Sequence, residues 1–147
     1  MKSVLRVRTS AVVIHNNQIL CFFAVDPTSG REFHFLPGGA IEKGETAPDA
    51  AVRETLEETG YQIRVATSSA VDSEYLFHWN GEDYLSHTLF YRGYLLNPFQ
   101  KPTPVSDASY NKGVLWVPIV KVQEIFSYTQ EIAQAIEQLA EWSESSK

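Results

Sequence analysis

The sequence predicts a mixed fold of the α+β class, in which a sheet is covered by two helices. Three observations point there: β-branched, alternating segments between turn residues, two separate stretches of helical periodicity, and enough apolar material for a core. The chain has 147 residues, 44% of them hydrophobic and 12% aromatic. That suits a single domain over residues 1–147. A charged fraction of 20% argues against disorder. No apolar run approaches the ~20 residues of a membrane span. Met1–Arg8 lacks the apolar block of a signal peptide. One cysteine cannot close an intramolecular disulfide, so an unexported, cytoplasmic protein is expected. The formal charge of −6 disfavours binding to nucleic-acid polymers or anionic membranes. A phosphate ligand would need a local counter-charge.

Val4–Ile14 has the β-branched content of a strand, and His15-Asn16-Asn17-Gln18 is a tight turn because Asn tolerates positive φ. Ile19–Val25 returns as an apolar strand. Asp26–Gly30 is a loop, and Phe33–Leu36 a short strand running into Pro37-Gly38-Gly39, a bend expected to need special backbone angles. Thr46–Thr59 is the first clear helix, with Thr46 as N-cap, Pro48 in the tolerated first turn and Gly60 just past the end. Tyr61–Val65, Ala70–Trp79 and Tyr84–Leu96 read as strands, the last two joined around Asn80–Asp83. Asn97–Lys112, with three prolines, is a long loop, and Val114–Val117 a further strand. Thr129–Trp142 carries Ile132, Ala135, Ile136, Leu139 and Ala140 at helical spacing; Glu144–Lys147 reads as a frayed tail.

The chemistry concentrates on the first helix. Glu54, Glu57 and Glu58 stand at i, i+3 and i+4, on one arc of about 100° on a helix. Val52, Thr55, Leu56 and Thr59 are left for the core. A solvated acidic face is the ordinary reading of such a run. Two facts oppose it: like charges at this spacing repel, and these lie at the negative end of the helix dipole. A divalent cation relieves both penalties, and oxygen-only ligands suit Mg²⁺, with Mn²⁺ as a substitute.

The spacing G-x5-E-x7-R-E-x-x-E-E-x-G is met by Gly39, Glu45, Arg53, Glu54, Glu57, Glu58 and Gly60. This resembles the Nudix box of hydrolases that cleave nucleoside diphosphates linked to another moiety. Thr55 and Tyr61 stand where the family usually has aliphatic residues; both are packing positions. The resemblance implies a three-layer α/β/α sandwich around a mixed β-sheet. It assigns Glu54, Glu57 and Glu58 to metal binding, with the carbonyl of Gly38 as a further ligand, and Glu54 or Glu57/Glu58 to deprotonation of the attacking water. Glu45 and Arg53 are implied as a pair orienting the loop and helix. The implied reaction is Mg²⁺-dependent hydrolysis of a P–O–P bond, with a nucleoside triphosphate, damaged dNTPs included, as the leading substrate and pyrophosphate as product. Dinucleoside polyphosphates and nucleotide sugars are the alternatives within the family. A nucleotide-binding module without catalysis is the rival outside it; such modules typically lose box carboxylates, and all are present here. A homodimer is left open.

Outside the box the sequence says less. Arg6, Arg8, Arg31 and Lys43 read first as surface cations. Tyr75, Phe77, Tyr84, Phe90, Tyr91, Tyr94 and Trp116 can stack on a base or pack in the core, and the core reading is preferred. Asp107 is a candidate loop acid for the metal site, ahead of Glu82 or Asp83. Cys21 reads as a buried apolar residue, and the four histidines lack zinc-type spacing.

Overall fold

The computed structural model describes residues 3–144. Of the expected tail, residues 145–147 lie outside the described residues, as do residues 1–2 of the N-terminal segment. Glu144 itself is paired with Arg64 at 2.6 Å.

Eight strands run β1 (Val4–His15), β2 (Gln18–Val25), β3 (Glu32–Phe35), β4 (Gly38–Ala40), β5 (Ile63–Val65), β6 (Val71–Trp79), β7 (Glu82–Leu95) and β8 (Asn111–Pro118). Helix α1 (Ala47–Thr59) lies between β4 and β5; α2 (Val122–Ile125) and α3 (Gln130–Ala140) follow β8. The sheet is mixed, because β1 runs parallel to β7 and antiparallel to β2 and β4. Its main order is β3-β2-β1-β7-β5, with β8 also on β2 and β6 also on β7.

Alternation along β1 divides the core into two layers. Ala11 and Val13 face α1 with Leu20, Ala51 and Ile63. Val12 faces the other way, with Ile19, Phe90 and the α3 residues Ile132, Ile136 and Leu139. The result is the α+β three-layer sandwich. Arg92 ties α3 to the sheet by donating from Nη1 to the carbonyl of Leu139 at 3.0 Å, near the helix C-terminus. Cys21 is fully buried, as expected, and burial pushes its thiol pKa up.

Two turns take the left-handed backbone that their residues permit. Asn16 and Asn17 have φ of 52° and 62°, and Asn80 and Gly81 have 49° and 80°, closing the β1–β2 and β6–β7 hairpins. The expected special angles at Gly38 and Gly39 are not observed. Neither has positive φ; both belong to β4, paired with Ser10 and Thr9. Crowding, not backbone angle, demands glycine there.

Candidate active site

Helix α1 forms where its signals place it. The Thr46 side chain accepts the Asp49 N–H at 3.2 Å, and Gly60, at φ 80°, donates its N–H to Leu56. Apart from Glu58, its buried residues are small: Ala50, Ala51, Thr55 and Thr59. The Thr55 and Thr59 hydroxyls donate to the carbonyls of Ala51 and Thr55, which allows polar residues in this layer. Tyr61, the other departure from the usual box, accepts a hydrogen bond from Trp116 Nε1 at 3.1 Å and packs edge-on against its ring. Leu56, expected in the core, is instead 39% exposed.

Arg53 is the centre of the acidic group. Nε donates to Glu45 Oε2 at 2.7 Å and Nη2 to Glu45 Oε1 at 3.1 Å, a two-point fork. Nη1 donates to Glu54 at 2.7 Å and to Glu57 at 2.9 Å, and Nη2 also reaches the carbonyl of Ala40. The Arg53 hydrogen bond is the largest cause holding the Glu45 carboxyl below its ordinary pKa. Burial raises that of Glu54 against the opposing pull of Arg53.

Glu58 turns away from this group. It is 5% exposed, and its Oε1 accepts the N–H of Gly38 at 2.8 Å. Burial is the first cause pushing its pKa well up. The expected single cluster is therefore divided: Arg53 draws Glu54 and Glu57 together, while a backbone donor on β4 claims Glu58. Gly38, expected to act through its carbonyl, makes its contact to Glu58 through its N–H. Gly39 lies under Glu54, since a Cβ built there would stand 2.0 Å from Glu54 Oε2.

Sequence reasoning missed three groups. Arg6 and Arg8 are not plain surface cations: both line a cleft on the α3 side of the sheet, as does Glu58. They share the inward phase of β1 with Ser10, a signal visible only once the buried face is known. Burial, then Arg8, pulls the Arg6 pKa down to about 10. Asn111 donates from Nδ2 to the carbonyl of Glu58 and to Asp107 Oδ2, both at 3.0 Å. It thus ties the candidate loop acid Asp107 to the end of α1. Tyr110 lines the same cleft, and burial, then Glu58 and Asp107, raises its pKa.

Among the described residues, no three His, Cys, Asp or Glu side chains are grouped to hold a metal ion. The donor chemistry still fits a hard divalent cation: all candidates are oxygen donors, and Glu58 is a buried carboxylate answered by one backbone N–H. Glu82 and Asp83 lie at the start of β7, where Asp83 pairs with His78, and are not part of the group around Arg53.

The NUDIX domain family model matches residues 4–139. The chain belongs to the Nudix hydrolase family. Nudix hydrolases use a divalent metal and act on small nucleotide substrates. The fold agrees with solved relatives. A NUDIX hydrolase from Nitrosomonas europaea superposes with a TM-score of 0.63 at 23% identity, covering 95% of this chain and 89% of that one. A C. elegans Ap4A hydrolase binary complex gives 0.66 at 15% identity, covering 92% and 95%. At these identities the likeness is one of fold. A Bacillus subtilis (strain 168) protein provisionally named an 8-oxo-dGTP diphosphatase is 45% identical in an alignment 49 residues long that covers 29% of this chain and 33% of that protein. The match thus spans about a third of that relative. No helix among the described residues of this Nudix chain is long and apolar enough to cross a membrane.

Proposed function

We propose that this Nudix domain, over residues 1–147, hydrolyses a P–O–P bond in a nucleoside diphosphate linked to a further group, foremost a nucleoside triphosphate yielding pyrophosphate. The observation that carries the reading is the Arg53 hub, which gathers Glu45, Glu54 and Glu57 beside the buried Glu58. A surface acidic run would have no reason to bury one carboxylate and share one guanidinium among four others, Glu42 included. The short match to the Bacillus subtilis protein supports a triphosphate, damaged dNTPs included. A cytoplasmic setting accords with the lone, buried cysteine.

Glu54, Glu57 and Glu58, with Gly38 and Asp107 as further candidates, would hold Mg²⁺, or Mn²⁺ in its place. When bound, the cation supplies charge neutralisation at phosphoryl oxygens and a more acidic water. The chain's own groups do the rest. Glu45 fixes Arg53, and Arg53 fixes Glu54 and Glu57. One of these two carboxylates takes the proton of the attacking water, a contribution of about 10²–10⁴-fold. The water oxygen bonds to phosphorus, the P–O–P bond breaks, and the electron pair leaves with pyrophosphate. Arg6 and Arg8 supply the local positive charge that the overall charge of −6 does not.

The test is a screen of nucleoside triphosphates, dinucleoside polyphosphates and nucleotide sugars with Mg²⁺, following phosphate and pyrophosphate. Pyrophosphate from a triphosphate is expected. Cleavage confined to one of the other classes would move the substrate while keeping the chemistry. Tight binding with no turnover of any compound would replace the enzyme by a binding module.

A further inference from the structure

Helix α1 covers only part of its side of the sheet. Its first residue, Ala47, accepts a hydrogen bond from the Thr9 hydroxyl at 2.9 Å. Before Thr9, the β1 residues that share the phase of Ala11 and Val13 are bare: Leu5 is 64% exposed and Val7 52%. Leu5 pairs with Leu85 of β7, and Leu85 with Leu76 of β6. Three leucines therefore stand in one row over three adjacent strands, ending in Leu76 at 68% exposure. The next row turns polar, with His87 in contact with Asp72 and Glu74.

The same stretch of β1 is also a sheet edge. On one side β7 pairs with it, whereas on the other β4 pairs with β1 over Arg8–Ser10 and β2 over Ile14–His15. Among the described residues, no strand lies opposite Val4–Val7 on that second side. An open edge beside an exposed apolar row is a template for one more strand.

We infer that Val4–Val7 pairs antiparallel with the same segment of a second copy of this chain, about a two-fold axis through Leu5. The inference is independent of the proposed hydrolysis. A two-fold axis normal to the sheet keeps both leucine rows on one side and sets residues of equal parity opposite one another. Centred on Leu5, it joins the rows into one apolar strip with three leucines from each copy. Centring on Arg6 would set two guanidinium groups opposite each other, and like charges so placed repel. Centring on Val4 would set Leu5 against Ser3 and break the strip. With Leu5 at the axis, Arg6 faces Val4 instead. A second copy also supplies the match of leucine to leucine, and the uncharged row is where two chains of charge −6 meet with least repulsion. The covered apolar area, a few hundred Å² per copy, is at the small end of specific interfaces. The dimer is therefore weak, with a Kd in the micromolar range or above.

Sedimentation equilibrium of the purified chain, from micromolar to millimolar concentration, should show monomer and dimer in exchange. Leu5→Lys sets two like charges on the axis and should weaken the dimer by about 100-fold or more, with Tm unchanged because the position is exposed. Under mild oxidation Leu5→Cys should form a disulfide between copies, because residues facing each other at the axis lie about 4.5–5.5 Å apart between Cα atoms. Val4→Cys should not, since its two copies are offset along the strands and stand beyond about 7 Å. Cys21 is buried and does not compete. A chain that stays monomeric to millimolar concentration would overturn the inference. So would a dimer that survives Leu5→Lys, which would place the interface elsewhere, or linkage of Val4→Cys in preference to Leu5→Cys, which would move the axis.

Discussion

The carboxylate of Glu58 and the backbone N–H of Gly38, twenty positions apart, are joined by a buried 2.8 Å hydrogen bond. It fastens the last turn of α1 to β4, the strand that carries Gly38 and Gly39. Burial works against the ionised form of this carboxyl, and the N–H of Gly38 pulls the other way.

Substitution at Glu58 separates charge from hydrogen bonding. In chelator, Glu58→Gln should melt at or above the wild type, because its amide oxygen still accepts from Gly38 while the buried charge is gone. Glu58→Ala leaves that N–H unpaired and should lose about 1–3 kcal/mol. Mg²⁺ should raise the wild-type Tm and barely move that of Glu58→Gln, since only a ligand of the native state stabilises it. Thermal melts of the three proteins, with and without Mg²⁺, check this. Equal shifts in all three would remove Glu58 from the metal site.

The two glycines should fail differently. A Cβ at Gly39 would stand 2.0 Å from Glu54 Oε2, the end of a side chain that can move aside. Gly39→Ala should therefore fold with a Tm near the wild type but lose activity, by about 100-fold for an ångström of misplacement. At Gly38 the Cβ would stand 2.3 Å from the carbonyl of Thr9, which is backbone. Gly38→Ala should lower Tm by several degrees. Parallel melts and steady-state rates distinguish the two outcomes.

Arg53 and Glu45 act on the site through their neighbours. Arg53→Lys cannot reproduce the fork onto Glu45 while also reaching Glu54 and Glu57. Both Arg53→Lys and Glu45→Gln should cost roughly 10–100-fold in activity or metal affinity, as supporting partners of metal ligands do. The readout is the Mg²⁺ concentration for half-maximal rate, which should rise while the KM for nucleotide holds. A rise in KM alone would place both residues at the substrate instead.

A pH-dependent contribution to stability should come from Asp26, in the loop after β2. Its carboxylate accepts the N–H groups of Thr28, Ser29 and Asn80, tying the β2–β3 loop to the β6–β7 turn. Burial pulls its pKa up, but the backbone hydrogen bonds from Thr28, Asn80 and Ser29 outweigh it and leave the pKa lowered. A lowered folded-state pKa contributes stability above the ordinary carboxylate range, lost as pH falls through the folded value. Asp26→Asn should therefore melt below the wild type at neutral pH, with the gap closing in acid. A gap independent of pH would make the effect one of packing.

Helix α1 was legible in advance because its signals are local: the cap at Thr46, the proline at its start and Gly60 at its end. The Asn16–Asn17 and Asn80–Gly81 turns were legible for the same reason. Strand β4 was not, because Gly38–Ala40 has no β propensity of its own and exists only through pairing with β1. That omission hid the fate of Glu58, whose partner lies on the missing strand. Arg6 and Arg8 read as surface cations because alternation in β1 shows two faces without saying which is lined by aromatic residues. The four-residue α2 is too short to leave a periodic trace.

The most direct measurement is pyrophosphate release from a nucleoside triphosphate with Mg²⁺, by the wild type, Glu57→Gln and Glu58→Gln. The wild type should turn over, and each variant should lose about 100-fold or more in kcat while keeping its fold, because a neutral amide is a poor ligand for a hard cation. Turnover by both variants at near wild-type rates would contradict the assignment of the reaction to the carboxylates of α1.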